Sequence, residues 1–291
     1  MNAREQWLNE RRSGIGGSDA SVIFDASPFM TALELYFDKR GELPVDPIEP
    51  EHLKWGRLLE PVVRQEYAER TGRVVQQIQA LVVHPRYPWM IGNMDGHIVD
   101  GQRVYEGKTA RTSDGYGEPG TDQVPEHILF QTQHYLCVTG YEVADVAVLI
   151  GGSDFRLYEI PADREFHELL IEGEHDFWQQ VQKGEPPRPD FQRETARDML
   201  RKLFPGTNGQ TVVADAGLEH WRRLHDEAAE RARVYQTAAD AAKAHMLYSM
   251  GEAAQLAFAD GKCLRRKLVK RKGYTVEASE NMDTRFANLK E

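Results

Sequence analysis

Cysteine is scarce in this chain: Cys137 and Cys263 are the only two, far apart in the sequence. Two thiols exclude a disulfide framework, a four-cysteine zinc ribbon and a cysteine-ligated iron–sulfur cluster, and they fit a reducing cytoplasm. No apolar run approaches the ~20 residues that span a bilayer. Val143 to Ile150, among the longest, is interrupted by Asp145. Met1 to Arg12 is charged and lacks the apolar stretch of a secretory signal, so a soluble chain with no membrane partner is expected. No repeat recurs at the spacing of a solenoid. A content of 41% hydrophobic residues is too high for a disordered chain. Net positive charge is lacking as well. The formal total of −10 points away from nucleic acid when taken whole.

What is present is less uniform than that total. Lys262, Arg265, Arg266, Lys267, Lys270, Arg271 and Lys272 stand together without an acid between them. The length of 291 residues allows one large domain or two modest ones. Helical spacing is expected before and after a Gly-rich turn at Gly14–Ser18, again from Thr31 to Gly41, and from His52 to Thr71 with Gly72 as C-cap. The period then changes to that of strands, at Val74–Val83, Met90–Val99 and Arg103–Thr109, with Asp100-Gly101 as a hairpin turn. Pro125–Val138 reads as a helix, Ala144–Ile150 and Asp154–Ile160 as a strand pair, and Asp163–Lys183 as an amphipathic helix. This order implies a mixed α/β layer fold. Gly184 to Asp190 is the clearest linker, which sets a core over 1–188 and an extension over 189–291. The extension holds a long helix over Ala214–Met250 and a basic β-hairpin over Lys262–Val276 turning at Lys272-Gly273.

Asp95 followed at a distance by Glu106-Gly107-Lys108 carries the chemistry. Glu106 and Lys108 alternate onto one face of a strand, and the hairpin can bring Asp95 beside them. Two hard carboxylates and the Gly107 carbonyl between Glu106 and Lys108 suit Mg2+ or Mn2+. A lysine there can position or deprotonate water for attack on phosphorus. Glu60, on the preceding helix, offers a third carboxylate, and Gln131 and Gln133 begin the helix after the sheet. Arg11, Arg12 and Ser18 frame the Gly-rich turn, whose N–H groups suit a phosphate. The bland alternative is a common Asp-Gly turn and a solvated Glu-x-Lys strand face.

In order, Trp7-Leu8-x-x-Arg11-Arg12, Gly14-Ile15-Gly16-Gly17-Ser18-Asp19-Ala20, Trp55-Gly56-x-x-x-Glu60-Pro61, Gly92-Asn93-Met94-Asp95-Gly96, Glu106-Gly107-Lys108 and Gln131-x-Gln133-His134-Tyr135 resemble the YqaJ-type viral recombinase (phage lambda exonuclease) family of the PD-(D/E)XK nuclease superfamily. The resemblance covers residues 7 to about 140. It implies a restriction-endonuclease-like core, a central mixed sheet flanked by helices, reaching to about residue 183. It further implies a Mg2+-dependent 5′→3′ exonuclease on linear double-stranded DNA, leaving 3′ tails for recombination by strand annealing. Two divalent cations, with Mn2+ as substitute, would be held by Asp95, Glu106 and the Gly107 carbonyl, with Glu60 in or next to that shell. Lys108 would orient the attacking water and Gln131 would join the site. The terminal 5′-phosphate would fall to Arg11 or Arg12, undecided, with Ser18. The implied partners are double-stranded DNA ends, two further copies in a trimeric ring, and a single-strand annealing protein in the cytoplasm of a bacterial host of the phage or prophage. The family's aromatic residue before the site glutamine is replaced by Ile128.

Other readings are weaker. Gly14-Ile15-Gly16-Gly17 follows a helix rather than a strand, against a dinucleotide loop, and Gln102 stands where a Walker loop before Lys108 needs glycine. His127 and His134 lack the pattern of a zinc helix, so His134 is expected packed or bonded beside the site with Gln133 near it. Glu172–Asp176 is expected as a solvated helix face, and Trp7, Trp55, Trp89 and Trp178 as core. Arg265, Arg266, Lys267 and Lys270 are expected either as a solvated strand pair, as a DNA-tracking surface or as a docking site for a partner protein. A related nuclease of other polarity or endonucleolytic mode, and a catalytically silent DNA-end-binding accessory, are the alternatives to the exonuclease.

Overall fold

The computed structural model describes residues 3–44, 50–78, 80–99 and 101–269, with side chains from Leu8 onward. Four helices open the chain: α1 (Ala3–Arg12), α2 (Gly17–Ile23), α3 (Ala32–Lys39) and α4 (Glu51–Thr71). Thr31 caps α3 reciprocally with Glu34, and α4 stops at Gly72, whose φ of 69° is the left-handed C-cap glycine tolerates. Then come β1 (Val75–Gln76), β2 (Val82–Val83), β3 (Ile91–Gly92), β4 (Gly96–Ile98) and β5 (Arg103–Ala110). Next are α5 (Glu126–Thr139), β6 (Val143–Ile150), β7 (Asp154–Pro161) and α6 (Arg164–Lys183). The main sheet has the order β1-β4-β5-β6-β7, with β5 and β6 parallel across α5 and the other pairs antiparallel. The mixed α/β core is as expected.

The single strand expected over Met90–Val99 is two. β3 pairs with β2 in a separate ribbon, whereas β4 joins the main sheet. Glycine makes both approaches possible. A Cβ on Gly96 would lie 2.7 Å from Val75 Cγ1 and 2.8 Å from the Gln76 carbonyl oxygen. One on Gly14 would lie 2.4 Å from the Trp89 carbonyl oxygen, beside which the Ile15 N–H donates to that same oxygen. Asn93, Met94 and Asp95 therefore form the joint between two sheets rather than the middle of a strand.

Alternation along β5 and β6 covers the two faces differently. Val104, Val146 and Val148 pack with Ile128, Tyr135 and Leu136, the latter three on α5. Tyr105 and Ala147 pack with Val63 and Tyr67 on α4. At one end Asp145 is buried against Tyr67, Arg73 and Arg103, which satisfies a charge that would otherwise be costly inside.

The chain divides into two compact units, Met1–Pro205 and Gly206–Glu291. The division falls after Pro205, while the sequence sets it near residue 188. A further helix, α7 (Glu194–Leu203), stays with the first unit and buries Ala196 and Met199. The second unit contains α8 (Ala216–Met250), β8 (Gln255–Ala257) and β9 (Cys263–Arg265). β9 pairs with β8 upstream of it, and the chain reverses between them at Gly261, where φ is 82°. The Lys272-Gly273 turn expected for the hairpin lies outside the described residues.

Candidate active site

The pairing of Gly96 with Tyr105 sets the registry of the site. Continued one step, it brings Asp95 opposite Glu106. Asp95 has left the strand, and its Oδ2 accepts the Gly107 backbone N–H at 2.9 Å. Glu106 and Lys108 share the α5 face with Val104, as alternation requires, and Gln131 on α5 bridges them. Lys108 Nζ donates to Gln131 Oε1 at 2.9 Å, and Gln131 Nε2 donates to Glu106 Oε1 at 2.9 Å. Lys108 Nζ also lies 2.7 Å from Glu106 Oε1. Gln131 Nε2 reaches the Tyr135 hydroxyl at 3.2 Å, which itself donates to the Asn93 carbonyl at 3.0 Å. The glutamine thus ties the lysine to the carboxylate and both to the joint that carries Asp95.

The charges do not balance. Glu106 is 2% exposed, and its Oε2 has no hydrogen-bond partner. Burial and then the nearby Asp95 push its carboxyl up to about 7, against the pull of Lys108. Burial also raises Asp95 despite Lys108, and burial with Asp95 raises Glu60. Burial disfavours the Lys108 ammonium, but Glu106 and Asp95 outweigh it and hold the amine protonated. Three carboxyls that resist ionisation and a bare buried oxygen form a site short of positive charge. Such a donor set fits Mg2+, which binds through one or two carboxylates together with water and substrate phosphates. Among the described residues no three histidine, cysteine, aspartate or glutamate side chains form a ready-made metal cage. Glu60, close enough to Asp95 and Glu106 for their charges to interact, accepts a hydrogen bond from Arg64 at 3.2 Å.

Arg11 and Ser18 meet in a small cleft of about 170 Å³, also lined by Gly16, Gly17, Asn93 and Tyr135. Arg11 Nη2 lies 3.5 Å from Ser18 Oγ and 3.7 Å from Asp19 Oδ1. Arg12 turns elsewhere, to Asp38 at 3.0 Å. Gly17 must lack a side chain here, because a Cβ would sit 2.5 Å from the Tyr135 ring. Tyr135 therefore borders both the cleft and the Gln131 bridge.

Several expected neighbours lie apart. Gln133 faces away from the carboxylates and holds the Pro161 carbonyl, the Asp163 N–H and His167. His134 is fully buried, between Glu174 at 2.8 Å and the Ile91 carbonyl at 2.9 Å. Glu174 is thus no solvated face but the buried hydrogen-bonding partner of His134. Trp55 is 54% exposed and not core; Trp89 and Trp178 do pack against the core, and the Trp7 side chain lies outside the described residues. Arg265 lies on β9 and Lys267 follows it, both exposed, while Arg266 donates to the Gly251 carbonyl beyond α8 at 2.8 Å. Lys270 lies outside the described residues. Two further residues border the site, Arg64 and Tyr105. The first was legible as the i+4 partner of Glu60. Tyr105 lies on the α4 face, as alternation requires, and its buried hydroxyl, without a hydrogen-bond partner among the described residues, reaches back beside Gly107.

Residues 6–142 match the YqaJ-like viral recombinase domain. An uncharacterized protein YqaJ of Bacillus subtilis (strain 168) is 36% identical over 214 residues, 72% of this chain and 66% of that relative's length. Residues 6–142 belong to the YqaJ-like viral recombinase domain family. The family stretch contains the Arg11 cleft, Glu60, Asp95, the Glu106–Lys108 strand and Gln131. Among solved structures, an alkaline exonuclease (LHK-Exo) from Laribacter hongkongensis aligns with 62% of this chain and 93% of its own, at TM-score 0.49 and 17% identity. A phage-related exonuclease from Haemophilus somnus 129PT aligns with 61% of this chain and 99% of its own, at TM-score 0.43 and 11% identity. Among the described residues no helix is long and apolar enough to cross a membrane.

Proposed function

We propose that this chain is a Mg2+-dependent 5′→3′ exonuclease that degrades one strand of linear double-stranded DNA and leaves a 3′ single-stranded tail for annealing. The observation that carries the reading is Glu106, buried with one oxygen bare, next to Asp95 and bridged through Gln131 to a protonated Lys108. Membership of a viral recombinase family supplies the recombination context.

Asp95, Glu106 and the Gly107 carbonyl would hold the cations, with Glu60 at the margin. A divalent cation there supplies charge neutralisation at the scissile phosphate and acidifies water. The chain's own groups do the rest. Lys108, kept charged by its carboxylate neighbours, orients the attacking water and offsets charge developing on the phosphate oxygens. Gln131 fixes the lysine in place. Arg11, rather than Arg12, lines the cleft with Ser18 where a terminal 5′-phosphate would be met, whereas Arg12 turns to Asp38. Arg265 and Lys267 remain available to duplex phosphates, where counterion release favours binding. The assembly is a trimeric ring around the duplex in the bacterial cytoplasm, passing its product to a single-strand annealing protein.

Linear duplex labelled at either end tests the reading. Release of labelled 5′-terminal nucleotides, dependent on Mg2+ and lost with chelator, is expected. Release from the 3′ end, cleavage of closed circles, or digestion in chelator would each refute it.

A further inference from the structure

In the second unit α8 runs for 35 residues, about 52 Å, and among the described residues of that unit it packs only near its C-terminal end. Upstream of Met246 its side chains are nearly all exposed, Trp221 at 67% and Tyr235 at 74%. Those residues are not scattered. Trp221, Leu224, Ala228, Tyr235, Ala239 and Ala242 recur at three-, four- and seven-residue steps along one side of the helix, with no charge among them. Ala232 completes the row. The same side continues into Met246 and Met250, and there it is covered: Met250 is 5% exposed, and Met246 lines a hollow with Phe258 and Leu264 of the β8–β9 hairpin. One end of the face is thus a packing surface, and the rest of it is exposed among the described residues.

We infer that this face docks on an antiparallel second copy of α8 from another molecule of the same chain. The order of large and small residues points to that occupant. With the two-fold axis between residues 231 and 232, Trp221 falls opposite Ala242, Leu224 opposite Ala239, and Tyr235 opposite Ala228. Every bulky side chain meets an alanine. A parallel pair in register would set Trp221 on Trp221 and alanine on alanine, overpacked at some layers and hollow at others, which close-packed interfaces penalise. Charge permits the pairing too. The chain as a whole carries −10, but α8 has five acidic and five basic residues. Arg222 is held on its own helix by Glu219 and Asp226. Residues 218–245, clear of the covered end, span ~42 Å, and half the circumference of a cylinder of that length and ~10 Å width is on the order of 650 Å² per copy, within the size range of a specific interface.

Sedimentation of the full-length protein over a concentration series tests this pairing independently of any nuclease activity. Ala228→Glu with Ala239→Glu keeps good helix formers on α8, checked by circular dichroism, and should lower the assembly mass by a factor of two. Trp221→Ala should raise the dissociation constant at least ten-fold. Adding Ala242→Trp to that variant should recover most of the loss, since the large residue again meets a small one across the axis. A mass unaffected by the double glutamate change would overturn the inference, as it would if α8 packed on its own chain. Failure of Ala242→Trp to recover association would overturn the antiparallel pairing.

Discussion

Glu106→Gln should make the metal-free protein more stable, and by an amount that depends on pH. The wild-type carboxyl titrates at about 7 in the fold, against 4.5 for an ordinary glutamate, chiefly because burial penalises its charge. A carboxyl raised in the fold favours the native state while protonated, and that stability is lost as pH rises from about 4.5 through about 7. Glutamine keeps the neutral state at every pH. At pH 8 the shift corresponds to about 3 kcal/mol. For a unit of this size that is a gain in Tm on the order of 5–10 °C. At pH 5 the unfolded carboxyl is only about half a unit past its own midpoint, so little of the penalty has accumulated and the gain falls below about 1 kcal/mol. Thermal melts in chelator at pH 5 and pH 8, wild type beside variant, read this directly. Mg2+ should then raise the Tm of the wild type at pH 8 and leave that of Glu106→Gln nearly unmoved. Equal effects of the substitution at both pH values, or a variant less stable at pH 8, would refute the argument that Glu106 sits in uncompensated burial.

Other outcomes follow from the same contacts. Asp95→Ala and Lys108→Ala should each reduce digestion of linear duplex by at least ~10²-fold while duplex-end binding persists, measured by single-turnover digestion and filter binding. Arg11→Ala should abolish any preference for 5′-phosphorylated over 5′-hydroxyl duplex, whereas Arg12→Ala should keep that preference; comparing the two end chemistries decides between them. His167 is buried and donates to Gln133, and burial pushes its imidazole down to about 4. Its neutral form belongs to the fold, so stability present above about pH 6.5 should be lost as pH falls toward 4, by up to about 3 kcal/mol. His167→Gln should flatten that slope in melts between pH 4 and 7.

Much of the fold was legible because its signals are local. Caps and periodicity set α4, α5, α6 and the β6–β7 pair to within a residue or two, since glycine at a left-handed C-cap and alternation in a half-buried strand act over single turns and pairs. The split of Met90–Val99 was not legible, because it depends on Trp89 meeting Gly14 and on Val75 crossing Gly96, both distant in sequence. The pairing of Cys263–Arg265 with Gln255–Ala257 was not legible for a like reason. A dense run of lysine and arginine marks a strand face but does not say on which side its partner lies.

Residue types and their spacing already limit the chemistry available: Asp95, Glu106 and Lys108 at a spacing one hairpin can gather, too few thiols for a four-cysteine zinc ribbon or a cysteine-ligated iron–sulfur cluster, and charge concentrated rather than spread. How those groups are used depends on the packing of distant segments. Packing separates Arg12 from Arg11 by giving the former Asp38, and Gln133 from Gln131 by turning positions two apart on one helix to different faces. It also buried Glu106 and Glu174 while leaving Trp55 in water. Residue type sets what a group can do, but burial and partners set its charge and direction, and those arise only where distant segments pack.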